Sequence, residues 1–384
     1  MLDTEVKASR VGGLLAMEVS KTVRRNGKIE LLRFVFAICV LCFHVVPDAW
    51  GHRLQLASGF YLFSKGKLGV EFFFLLSGFF LAKTVDRQFE TSGDASTNLG
   101  ESTFAYMQKR IAAVLPFHIT FCMAALALRI IAAGIASVPK QLLYSIPSFL
   151  LLNSTGLMRT IKPLIAPEWY LSSLFLCMLI LYPLTRKYHK TLPYTVYPVV
   201  GVLCIGYLII SFRYLPGNIT ESNGFILACN IRAFGELCLG ITCYTISKRI
   251  INTNDISRFT KYLLGAIELL CYLTVLLLMC TKQKNIEQIV LILLFIGLTI
   301  SMSELGAGNA SPLFQNKLML FLGKASLPIY LCQDVVRSIV RSLPFALTPV
   351  QHFLVAALGA VLLGMASVLV LESMQRSQRA ARRG

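Results

Sequence analysis

Two side chains on one apolar stretch carry the first chemical signal. Leu31 to Val46 reads LLRFVFAICVLCFHVV, and its only ionisable groups besides thiols are Arg33 and His44. They lie eleven residues apart, which on an α-helix is about 20° past three full turns and roughly 16 Å along the axis. Both therefore share one stripe. An ionisable group within a membrane span is costly and usually faces a partner or a cavity, which makes it a functional candidate. A neutral imidazole can take a proton from a hydroxyl near neutral pH. A guanidinium offers a fork of donors that suits phosphate. The pair predicts a channel with a cation near its mouth and a general base deep inside. For each residue a plainer reading exists: Arg33 snorkelling to the interface, and His44 bonded across helices.

The elements that must position these groups follow from composition. Of 384 residues, 55% are hydrophobic and 15% charged, with mean hydropathy +0.66. A soluble chain would carry about a quarter charged residues. Here the apolar residues fall in long runs between basic clusters, which predicts an all-α, polytopic bundle in a lipid bilayer. We read ten spans: 29–48, 68–84, 108–134, 168–185, 194–212, 225–247, 259–280, 286–304, 318–340 and 349–371. They form one transmembrane domain over 29–371, between a cytoplasmic tail at 1–28 and a basic cytoplasmic tail at 372–384. Met17 is an alternative start. Residues 86–103 read as a flexible polar loop. Residues 141–152, too short to cross and containing Pro147, read as an interfacial or re-entrant piece.

An even number of spans puts both termini on one side. With the termini inside, the inner segments hold more than twice as many Lys and Arg residues as the outer ones, so both termini are expected in the cytoplasm. Trp50 and Trp169 then fall at the outer interface. The net charge of +18 is spread over alternate helix ends rather than gathered on one helix, which argues against nucleic acid as a partner. All eleven cysteines fall in or at the ends of apolar spans, where they act as small hydrophobes. Cys39-x-x-Cys42 lies inside the first span, outside any redox context. Five scattered histidines, with no H-x3-H pair or carboxylate cluster, give metal binding little support. Asn153-Ser154-Thr155 and Asn218-Ile219-Thr220 fit a glycosylation pattern that matters only in a eukaryotic host.

Further candidates lie in later spans. Glu71 stands near the outer end of the second, where it could orient His44, position an acceptor, or pair with Lys67. Gly69 and Gly78 permit close helix approach, and Ser77 can bond across an interface. Arg232 and Glu236 share a helix face in the sixth span, as an internal ion pair or with Arg232 as a second phosphate-binding cation. His118, Arg129 and Arg337 are weaker candidates.

Six motifs resemble the integral membrane acyltransferases of acyltransferase family 3. They are Arg33-x10-His44, GVEFFFLLSGFFL at 69–81, KRIAAVLPF at 109–117, WYLSSLFLCMLILYPL at 169–184, RAFGELCLG at 232–240 and LGKASLPIYLCQDVV at 322–336. The resemblance implies O-acyl transfer, commonly acetyl, from cytoplasmic acyl-CoA to a hydroxyl of a surface or lipid-linked carbohydrate. It implies Arg33 as the acyl-donor arginine and His44 as the catalytic histidine, with Glu71, Ser77 and Gly78 as motif members. Members often carry a histidine after the Tyr-Leu pair of the last motif, where this chain has Cys332-Gln333. Gln333 cannot accept a proton at neutral pH, which leaves the base work to His44. The expected setting is a bacterial plasma membrane, with acetyl-CoA or another acyl-CoA as co-substrate and no metal. A transporter or flippase for a polar lipid or glycan is the alternative. Oligomeric state is left open.

Overall fold

The computed structural model describes residues 26–92, 98–157, 161–217, 219–252, 256–283, 285–306 and 311–381. Most of the 1–28 tail, Met17, and Asn218 lie outside the described residues, as do 382–384. Eleven α-helices run through the described chain: α1 (Gly27–Trp50), α2 (Gly69–Ser92), α3 (Leu99–Ala133), α4 (Val138–Phe149), α5 (Glu168–Lys187), α6 (Val196–Phe212), α7 (Ala228–Ile251), α8 (Arg258–Met279), α9 (Glu287–Met302), α10 (Lys317–Arg341) and α11 (Pro349–Ala381). Among the described residues, sheet is confined to two small antiparallel hairpins, 55–61 and 222–227, and a single bridge from Phe60 to Thr281. The chain is a helical membrane protein.

Each of the ten predicted spans coincides with a helix, and α4 occupies the short segment between the third and fourth. Seven helices are long and apolar enough to cross a membrane: α1, α2 with the turn before it, α3, α5, α8, α10 and α11. Helices α6 and α9 are apolar but have only 17 and 16 residues. Helix α7 has the length but carries Arg232 and Glu236 in its first half. Burial explains why it tolerates them: most of α7 is surrounded by protein, so its face need not be lipid-compatible. Helix α11 continues beyond the span expected to end at 371, as far as Ala381.

Helix direction follows from the contacts. We call the end where α1 starts basal and the other apical. Asn26 caps α1, its side chain accepting from the Lys28 N–H, and the Lys28 ammonium pairs with Glu268 at 2.5 Å. Helix α10 runs parallel to α1. Gly323 lies beside Glu30 basally, and Arg337 holds Asp48 apically at 2.6 Å. Helix α2 runs the opposite way and crosses α7 closely. A Cβ on Gly78 would stand 2.2 Å from the Leu237 carbonyl oxygen, and one on Gly240 would stand 2.1 Å from that of Leu75. Only hydrogen fits at that crossing, as expected of small residues where membrane helices touch. Apically, the 55–61 hairpin is tied to the α8–α9 turn through Tyr61 N–H to Cys280 O at 2.7 Å.

Candidate functional site

A cavity of about 780 Å³ opens among α1, α2, α3, α5, α10 and α11. Helix α2 supplies its longest wall. Val70, Phe73, Ser77, Phe80, Thr84 and Arg87 recur at three- and four-residue intervals, so one face of α2 lines the space over roughly 26 Å at 1.5 Å per residue. The mouth is basal and cationic, with Arg33, Lys83, Arg87, Arg110 and Lys324 around it. Arg33 donates to Glu30 at 2.8 Å, and Lys324 to Glu372 at 2.6 Å. Arg110 stands over the Tyr106 ring at 5.2 Å. Further along, Phe73, Phe80, Val114, Phe117 and Leu174 give the cavity an apolar lining. The inner end is set by Val70, Tyr170 and Tyr330. There the Tyr170 hydroxyl is hydrogen-bonded with Ser77, and the Tyr170 and Tyr330 rings meet edge to face at 5.8 Å.

Arg33 is therefore a mouth residue, 27% exposed in its side chain. On α1 the lining stops there. His44, three turns further on, is not part of the lining but sits apically and half-buried, which corrects the expectation of one channel with the base deep inside it: the cavity ends first, at Tyr170 and Tyr330. Its charged neighbours are Arg337, Asp334, Arg53 and Asp48. Arg337 organises the acids of that group. Its Nε and Nη2 donate to Asp48 at 2.6 and 3.1 Å, and its Nη1 donates to Asp334 at 2.7 Å. Asp334 also accepts from the Ala166 N–H at 2.6 Å, and Asp48 from Arg341. On α10, Asp334 is one turn beyond Tyr330, so the histidine's surroundings begin just past the cavity's end.

Glu71 and Arg232 are brought together, away from both places. Arg232 Nε donates to Glu236 at 2.7 Å, and Arg232 Nη2 lies 3.6 Å from Glu71. A third contact runs from Nη1 to the Pro216 carbonyl at 3.3 Å, and the guanidinium lies 5.8 Å from the Trp169 ring centre. Arg232 is 2% exposed, Glu71 and Glu236 are fully buried, and none of them lines the cavity. Lys67 stands over the Tyr214 ring at 5.4 Å. The arrangement is an internal charge cluster joining α2 to α7. Trp169 accordingly packs inward on Arg232. Gln333 is buried; its Nε2 donates to the Tyr330 carbonyl at 2.9 Å, and its Oε1 has no hydrogen-bond partner.

Comparison with known families decides the class: the model of an acyltransferase domain, that of the acyltransferase 3 family, matches residues 26–370. This chain belongs to that family. No curated protein and no solved structure matched it. The acyltransferase thus has a basal cavity and an apical histidine group, spaced along one face of α1.

Residue reasoning on this acyltransferase passes over Asp48 and Asp334 and gives Arg337 little weight. Asp48 has a readable signal, since it follows His44 by four residues and shares its helix face. Asp334 has none beyond its place after Gln333, because only the parallel packing of α10 on α1 brings it near. Lys83 and Arg87 read in the sequence only as end-of-helix charges. Their spacing with Ser77, Phe80 and Thr84 on one face is what marks them as lining.

Proposed function

We propose that this membrane acyltransferase takes a short acyl group, acetyl in the first instance, from acyl-CoA entering the basal mouth, and passes it to a carbohydrate hydroxyl at the apical side. The cavity carries the reading. Its volume lies within the range of about 300–1,000 Å³ usual for small-ligand sites. Its cationic rim matches the phosphates of a coenzyme A donor, and its largely apolar inner lining suits the arm that carries the acyl group. The charge bias supports a cytoplasmic basal end, the side on which acyl-CoA is made. The acceptor is a sugar of a surface or lipid-linked glycan, and the setting is a bacterial plasma membrane.

In the transfer, the acceptor oxygen attacks the thioester carbonyl carbon while His44 takes the hydroxyl proton. The C–S bond then breaks and the departing thiolate recovers a proton, giving ester and free CoA. Arg337, holding Asp48 and Asp334, fixes the charge pattern around the ring. A covalent acyl-histidine is the kinetic variant of the same chemistry, distinguished by ping-pong behaviour.

The test is CoA release by purified protein in lipid discs, paired with mass spectrometry of surface glycans from cells with and without the gene. His44→Ala is expected to lower turnover by about 100-fold or more, the usual worth of a general base, while acyl-CoA still binds. Wild-type turnover in that variant would overturn the assignment. Glycan movement without any CoA release would favour the flippase.

A further inference from the structure

Tyr330 stands where the cavity ends and the surroundings of His44 begin. Lys324, Leu327 and Tyr330 line the cavity from α10, and Asp334 and Arg337 follow at the same three- and four-residue intervals. One stripe of α10 therefore runs from the basal mouth to the charged group about the histidine. At 1.5 Å per residue, Tyr330 lies roughly 9 Å along the axis from Lys324 and roughly 6 Å from Asp334. It is nearly enclosed, at 6% exposure. Resting on the reading of this cavity as the acyl-donor site, we propose that the Tyr330 hydroxyl donates a hydrogen bond to the carbonyl oxygen of the bound thioester and stabilises the oxyanion formed during transfer.

The hydrogen bonds at that end single this hydroxyl out. Of the residues that set the inner end, Val70 has no side-chain donor, and Tyr170 is already paired with Ser77. The Tyr330 hydroxyl has no hydrogen-bond partner among the described residues, and its charged neighbours are Asp334 and Arg232. An enclosed phenol O–H without an acceptor costs free energy, and buried tyrosines usually find one. The ring itself is held by its edge-to-face contact with Tyr170 at 5.8 Å. Packing thus fixes the donor in place before any ligand arrives.

The chemistry needs such a donor at this point. Attack on the carbonyl carbon moves the C=O π pair onto the oxygen. The hydrogen bond from Tyr330 strengthens as that charge grows. When the C–S bond breaks, the pair returns to the carbonyl and the thiolate leaves. The tyrosine keeps its proton throughout, so its part in the step requires no co-reactant. A preorganised donor in a water-poor site costs no reorganisation at the moment of reaction, which is the source of its worth.

The test compares the full wild-type chain with Tyr330→Phe, both purified into lipid discs and supplied with acetyl-CoA. The variant's kcat is expected to fall about 100-fold or more, the usual worth of one oxyanion donor, with KM for acetyl-CoA within about threefold of wild type. Because the hydroxyl has no protein partner, its loss should leave the unfolding midpoint unchanged. A clearly lower midpoint, or failure to fold, would show a structural bond and overturn the proposal. So would a wild-type kcat, the result if the hydroxyl meets only water, or a raised KM at unchanged kcat. A second readout needs no turnover: the infrared carbonyl stretch of bound acetyl-CoA labelled with carbon-13 at the carbonyl. A hydrogen bond weakens the C=O bond, so the band should lie lower in wild type than in Tyr330→Phe, and equal bands would sink the contact. Wild-type protein that shows the band difference but releases no CoA with any carbohydrate acceptor would count against the proposed transfer and leave this contact standing. No bound-acetyl band in wild type would overturn both.

Discussion

At the scale of single residues, the two groups that open the chain divide the labour by depth. Arg33 faces the cavity mouth and is fastened to Glu30, and the proposed function gives it a part in donor binding. Arg33→Gln is expected to raise the KM for acyl-CoA about 10-fold, the worth of one charge-assisted phosphate contact, with kcat changed far less. Steady-state kinetics over a range of acyl-CoA concentrations checks this, and a kcat loss at unchanged KM would reassign Arg33 to the chemistry. The arginine–histidine spacing was legible because α-helical geometry alone relates the two. The Asp334–Arg337 pair was not, because its position depends on α10 lying parallel to α1. The glycosylation pattern at Asn153, read as relevant only in a eukaryotic host, falls on a side chain buried against Glu168.

At the scale of elements, hydropathy located all ten spans but misjudged what some are made of. Helix α7 is held by packing and by one buried cation between two carboxylates, and such a cluster is sensitive to the loss of one member. Arg232→Met would leave Glu71 and Glu236 buried without their partner. It is expected to destabilise the bundle by about 3–5 kcal/mol, seen as a lower unfolding midpoint in detergent. Replacing all three by apolar residues of similar volume should recover most of that loss. If the single variant unfolds like wild type, the cluster does not hold α2 to α7. The short helices α6 and α9 pass as spans on composition alone, and only their place in the bundle shows how protein neighbours stand in for length. Helix α4 was readable as non-spanning from its length and Pro147, but its buried serine end was not, since Ser148 meets partners on other elements.

At the scale of the whole molecule, Glu372 late in α11 holds Lys324 near the start of α10, and both border the cavity beside Glu30 and Arg33, so the start of α1 and the end of α11 lie at the same basal end. Both termini are expected to be cytoplasmic, which alkaline phosphatase and fluorescent-protein fusions to each terminus would check. A phosphatase signal at either terminus would invert the assignment of the donor side. The extension of α11 gives this end a further meaning. Glu372 and Gln375 border the cavity, and Glu372 holds Lys324, so helix beyond the hydrophobic limit at 371 forms part of the doorway. Anything hung on the carboxyl terminus, whether an affinity handle or a fusion partner, sits close to the mouth through which the proposed donor would bring its nucleotide half. A chain trimmed at the edge of the greasy segment would keep its passes yet lose one jamb of its own entrance.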